Sequence, residues 1–193
     1  MSRWQRKAKE GFTLIELMIV VAIVGILAVL AIYGVRKYLA NAKTAEARNS
    51  IGQMAKDAAA AYEKESMPGT VLTPGNSAAL SRALCAGESG SVPTAIGSVS
   101  GKKYQSAVGD WNKGGVAGTG FACLHFSMDQ PQYYMYSYTS SGTTGAAGDS
   151  FTATANGDLN GDSVESTFSM TGAINSSFAL NLAPNMVESN AEE

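Results

Sequence analysis

Apolar positions follow three different rhythms along this chain. From Phe12 to Val35 they run together, and Glu16 is the only charged side chain among them. A helix of that length reaches about 36 Å, enough to cross a bilayer with some tilt. From Ile51 the rhythm becomes helical: Ile51, Met54, Ala55, Ala58, Ala59 and Tyr62 fall on one face, while Lys56, Asp57, Glu63 and Lys64 fall off it. No proline occurs before Pro68, so the pattern predicts one long helix from Phe12 to Glu65. Residues 12–35 would be its membrane span and 36–65 its amphipathic continuation. Gly25, Gly34 and Gly52 are its weak points, with Gly52 expected to pack closely against a sheet.

From Phe121 onward the period shortens to two. Segments 121–128, 132–138, 150–156 and 164–170 each suit a strand, with turn-rich spacers between them. An antiparallel sheet of roughly four strands over 119–172 is expected. Leu124, Phe126 and Met128 would share one face of the first strand, with Phe151, Ala153 and Ala155 on the third and Val164, Phe168 and Met170 on the fourth. These faces match the apolar stripe of the helix, and helix first with sheet second is an α+β layer arrangement. Residues 66–118, rich in Gly, Ser and Pro, read as a connecting loop with a short helix around Ser77 to Leu84 and Trp111 as an anchor on the core. Residues 173–193 read as a C-terminal segment ending in an acidic tail.

Charge changes the picture at both ends. Residues 1–11 hold Arg3, Arg6, Lys7 and Lys9 against Glu10 alone, which puts the N-terminus on the cytoplasmic side of the span and the bulk of the chain outside the cytoplasm. Residues 66–193 hold Arg82, Lys102, Lys103 and Lys113 against ten acids. That is a poor footprint for nucleic-acid binding by the globular part. Cys85 and Cys123 are the only cysteines; in an exported domain the pair is most simply a disulfide, the alternative being two buried thiols.

The junction K-E-G-F-T-L-I-E-L-M-I-V-V-A-I-V-G-I-L-A carries a specific resemblance. It resembles the prepilin signature of type IV pilins and of type II secretion pseudopilins: a basic leader, Gly11 at the cut, Phe12 as the new N-terminus, and Glu16 five residues into the mature chain. The resemblance implies a pilin fold, in which the long N-terminal helix packs on the sheet and an αβ-loop links the two. It also implies removal of leader 1–11 by a membrane-embedded prepilin peptidase that N-methylates Phe12, and extraction of the subunit from the inner membrane into a helical homo-oligomeric fibre by an assembly machine. Adhesion, twitching motility and DNA uptake are the family's uses for such fibres. Many type IV pilins have Pro where this chain has Tyr33, which leaves any opening of the helix to Gly25 and Gly34.

A carboxylate in hydrocarbon costs a few kcal/mol, so Glu16 calls for a partner. In a fibre that partner is the freed amine of Phe12 on a neighbouring subunit, which makes Glu16 a register device that admits processed subunits. The bland alternative has Glu16 snorkelling to the headgroups. "NGDLNGDSVE" admits two readings, a tight hairpin turn and a weak Ca²⁺ site formed by Asp158, Asn160 and Asp162. The lone histidine, His125, reads as a polar position on a strand face and gives catalysis little foothold. A fibre subunit that is not an enzyme is the expectation. Its rivals are a pseudopilin, a membrane-anchored periplasmic enzyme or binding module, and a DNA-receptor minor pilin.

Overall fold

The computed structural model of the protein describes residues 11–66, 72–77, 79–113 and 118–191. It divides into two compact units, residues 1–39 and 40–193. Helix α1, Leu14–Glu63, begins in the first and ends in the second. It stays helical through Gly25, Gly34 and Gly52, as a chain without proline in this stretch allows.

In the first unit the apolar side chains of α1 stand exposed from Leu14 to Leu39, and the helix is long and apolar enough to cross a membrane. In the second unit one stripe of α1 is buried: Thr44, Ala47, Ile51, Met54, Ala55, Ala58 and Tyr62. The predicted stripe is present, with Ala59 half-buried at its margin. Gly52 departs from expectation, because a Cβ built there would meet nothing within 4 Å.

The sheet is antiparallel and has six strands where roughly four were expected. They are β1 (Ser91–Val92), β2 (Met135–Ser141), β3 (Ser150–Gly157), β4 (Ser166–Ile174), β5 (Leu180–Leu182) and β6 (Val187–Ser189). Strands β1 to β5 are neighbours in sequence order, and β6 also pairs with β4. Since β3 takes one edge of β4, the other edge is shared: β5 pairs with Gly172–Ile174 and β6 with Thr167–Ser169. Two stretches of the C-terminal segment, Leu180–Leu182 and Val187–Ser189, are therefore strands, while Glu192 and Glu193 at the end of the expected acidic tail lie outside the described residues.

Register places large residues on the outer two of the three long strands and small ones between them. Tyr136 and Tyr138 on β2 face Ala155 and Ala153 on β3, and Ala155 in turn faces Phe168 on β4. All five are buried, as is Phe151. Opposite Phe151 stands Gly172, where any Cβ would collide with the Phe151 ring, so glycine is required there. Val164 precedes β4 and is exposed, a departure from its predicted place in the core.

Two segments take forms other than those predicted. Gly120–Leu124 is a short helix, α2, where a first strand was expected; Phe121 and Leu124 point into the core from one face of it. The short helix expected at 77–84 is absent among the described residues there, and Ser81 instead bridges to Ser66 through mutual backbone hydrogen bonds of 2.9 Å. Trp111 is the loop anchor its sequence context suggested. Buried, it packs edge-on against Phe121 and Phe126 and donates its indole N–H to Ser106 Oγ at 2.9 Å.

Candidate functional site

The N-terminal motif sits where coil becomes helix. Gly11, Phe12 and Thr13 precede α1, and the Phe12 side chain is 88% exposed. Residues 1–10, with the basic side chains of the expected leader, lie outside the described residues. Thr13 and Glu16 form a reciprocal cap: the Thr13 N–H donates to Glu16 Oε2 at 2.8 Å, and the Glu16 N–H donates to Thr13 Oγ1 at 3.3 Å. The Thr13 hydroxyl also donates to Oε2 at 2.7 Å. This is a capping box, in which a T-x-x-E spacing satisfies two N–H groups that the first helical turn leaves without partners. Glu16 thus already has a local partner in a single chain. Both bonds from Thr13 end on Oε2.

Cys85 and Cys123 form a disulfide that joins the connecting loop to α2. Cys123 was expected on a strand, tying the sheet to the connecting loop; the pairing with Cys85 is present, but it ties the loop to a helix. Around it, Ala86 N donates to Gly118 O at 3.0 Å and Gly120 N to Ala86 O at 2.8 Å. Glu88 Oε2 accepts the Phe121 N–H at 3.3 Å at the start of α2. Beside the disulfide lies a groove of about 790 Å³, with Ala60, Ala61, Lys64, Leu84 and His125 in its lining. His125 ends α2 in the left-handed region, φ 56°, and is not on a strand face. Asp57 also lines the groove, and burial raises its pKa against the opposing pull of a Gln53 hydrogen bond and of His125.

The "NGDLNGDSVE" segment joins β3 to β4. Asp158, almost fully buried, accepts three hydrogen bonds, from Ser100 Oγ at 2.7 Å, Gly161 N at 2.7 Å and Ser163 N at 3.2 Å. Its pKa is lowered, first by the Ser100 hydroxyl and then by backbone N–H groups of the turn. Asn160 and Asp162 hydrogen-bond each other, Asp162 N donating to Asn160 Oδ1 at 2.9 Å, and Val164 N donates to Asp162 Oδ1 at 2.8 Å. Donors from the turn and from Ser100 take up part of the acceptor capacity of these oxygens and give the turn its shape. Among the described residues no three His, Cys, Asp or Glu side chains are grouped to hold a metal ion. The arrangement is that of a hydrogen-bonded turn, braced to the loop at Ser100.

Sequence reasoning missed one cluster altogether. Glu46 on α1 accepts the Tyr133 N–H at 2.9 Å and the Tyr136 hydroxyl at 3.1 Å. Burial, the largest influence, raises its pKa. A second tie, Arg48 to Glu188 at 2.7 and 2.8 Å, is bidentate and fastens β6 to α1.

A long helix with an exposed apolar start, a capped acid beside its first residues, and a stripe packed on an antiparallel sheet define a class of helix-anchored α+β proteins. Residues 6–32 match the family described as the prokaryotic N-terminal methylation motif. Over 49 residues the chain is 49% identical to the type IV major fimbrial protein FimA of Dichelobacter nodosus, covering 25% of this chain and 31% of that one. It is 46% identical over 54 residues to the type IV major alpha-pilin of Moraxella bovis, 27% of this chain and 34% of the other. With the type IV major pilin protein PilA of Myxococcus xanthus it shares 58% over 42 residues, 22% and 19% respectively. The chain therefore spans about a third or less of the length of these relatives. No solved structure matches. The motif and the relatives together support a type IV pilin precursor.

Proposed function

We propose that the chain is a structural subunit of a type IV pilus, held in the membrane by the apolar part of α1 and assembled through that helix into a surface fibre. The observation that carries this reading is the exposed apolar start of α1 with Glu16 capped beside Phe12, inside a methylation motif. An apolar surface of this extent needs lipid or other copies of itself. The pilin and fimbrial relatives suggest a structural protein without enzymatic activity and do not favour a pseudopilin.

In this reading a prepilin peptidase cuts between Gly11 and Phe12, the Phe12 amine is N-methylated, and Glu16 pairs with that amine on a neighbouring subunit. The pilus assembly machinery then extracts the subunit from the inner membrane. Two substitutions separate the charge of Glu16 from its capping role. Glu16→Gln keeps a side chain able to cap the Thr13 N–H, and Glu16→Ala keeps neither function. Both variants should insert and be cleaved, and neither should appear in sheared surface fibres. Normal fibres from Glu16→Gln would rule out the charge as the register device.

A further inference from the structure

Lys43, Lys103 and Tyr133 meet on the unit of residues 40–193, the outer unit in the membrane-anchored reading, far from the N-terminal motif in sequence. The Lys43 ammonium lies 5.0 Å from the centre of the Tyr133 ring and the Lys103 ammonium 4.5 Å from it. The fold builds this cluster deliberately: Tyr104 and Gln132 exchange backbone hydrogen bonds of 2.9 and 2.8 Å, which sets Lys103 beside Tyr133, and the Glu46 carboxylate fixes the Tyr133 backbone to the same helix that carries Lys43. The two ammonium groups are thereby kept within about 10 Å of each other.

Two like charges sharing one ring repel each other. Among the described residues neither makes an ion pair within 4.0 Å. The carboxylate facing them, Glu46, spends its hydrogen bonds on Tyr133 N and Tyr136 OH. Lys102, also exposed, adds a third cation next in sequence. Glu46 attracts Lys103 across this cluster, yet one carboxylate stands against three cations, Lys43, Lys102 and Lys103, so the cluster keeps an excess of positive charge in a region that is otherwise acidic: residues 66–193 carry ten acids against four bases. That surrounding charge disfavours a long nucleic-acid track, which needs a basic stripe.

One anionic surface is tethered nearby. Lys43 is the eighth residue after Val35, the last of the apolar run, and eight residues reach about 28 Å at most even when fully extended. Tyrosine with lysine is also the pairing favoured at headgroup depth, ring at the interface and ammonium towards phosphate.

We propose that Lys43, Lys103 and the Tyr133 ring form a docking surface for anionic phospholipid headgroups, which holds the outer unit against the leaflet until the subunit leaves the membrane. This rests on the membrane-anchored reading above. The test uses the full chain in vesicles of phosphatidylcholine alone or with phosphatidylglycerol, amine acetylation of each lysine being followed by mass spectrometry. Lys43 and Lys103 should be acetylated about five-fold more slowly in the anionic vesicles, and raised salt should abolish the difference. Lys56, exposed on α1, serves as the control and should not change. The variant K43Q/K103Q should insert normally and lose the lipid-dependent protection of Tyr133 from iodination. Equal acetylation in both vesicles, by an inserted chain, overturns the docking surface alone. A chain that never enters vesicles overturns the anchor and the docking surface together. Stronger protection by single-stranded DNA than by anionic vesicles overturns lipid as the partner.

Discussion

The two units of this chain treat apolar side chains in opposite ways. Before Leu39 the helix carries Ile, Leu and Val on every side and buries none of them; after Ala40 the same helix buries its large apolar residues, Ile51, Met54 and Tyr62, on one stripe and exposes only alanines among its apolar side chains elsewhere. An aqueous chain cannot afford the first arrangement, and a single-copy domain requires the second. Residues 40–193 thus hold a buried core of their own, whereas the helix before Leu39 leaves its apolar side chains uncovered in a single chain.

Equivalent truncations in the two halves give the sharpest contrast. Phe168→Ala, in the core between Ala155 and Arg48, should destabilise the outer unit by about 3–5 kcal/mol. Leu27→Ala, on the exposed run, should leave thermal unfolding of the outer unit unchanged and weaken fibres instead. Melting of detergent-solubilised chains followed by near-ultraviolet circular dichroism checks both. A fall in melting temperature for Leu27→Ala would break the comparison.

Reduction of Cys85–Cys123 comes next. Its sequence separation of 38 predicts a loss of about 4 kcal/mol on the chain-entropy model. The loss belongs to the outer unit alone, and Cys85→Ser/Cys123→Ser should reproduce it in chemical denaturation.

Acid should act more gently, and with a definite sign. The pKa values of Asp158 and Glu188 are held low, by the Ser100 hydroxyl and by the Arg48 guanidinium respectively. Each stabilises the fold above its unfolded pKa, near 4, and that contribution disappears as pH falls through the lower folded value. Glu46, raised by burial, works in reverse: its contribution is complete below its unfolded pKa and is lost as pH rises through the folded one. The melting temperature should therefore drop below about pH 4, and Asp158→Asn should flatten that drop. Calcium should have the smallest effect. Neither added Ca²⁺ nor chelator should shift melting, since hydrogen bonds within the turn already hold its shape and no three acidic, His or Cys side chains group there among the described residues; a clear rise with Ca²⁺ would favour the cation reading of this turn.

Periodic features were legible in the sequence and long-range ones were not. The stripe from Ile51 to Tyr62 and the inward face of β3 follow from periods of 3.6 and 2, which are local properties, whereas on β4 only Phe168 of the expected three is buried, with Met170 half-buried and Val164 exposed. Segment 121–128 misled because Phe121, Leu124 and Phe126 suit a strand and a helical turn almost equally. What decides is distant: Glu88 meets the start of α2, Cys85 bonds to Cys123, and Trp111 packs on Phe121. The acidic C-terminal segment looked unattached because its partner, Arg48, lies 140 positions away. The T-x-x-E spacing at Thr13 and Glu16 is a local signature as well, although the role expected for the acid was a bond between chains and not a cap within one.

The shared edge of β4 has a mechanical consequence. Glu188 on β6 is gripped by Arg48 of the long helix, and β6 lies alongside β4. In a fibre, a pull along α1 would reach the final strand through this ion pair, and the sheet also through the Glu46 bond to Tyr133 and the buried stripe, so the load would be shared among several ties and not rest on the chain connection through residues 66–118 alone.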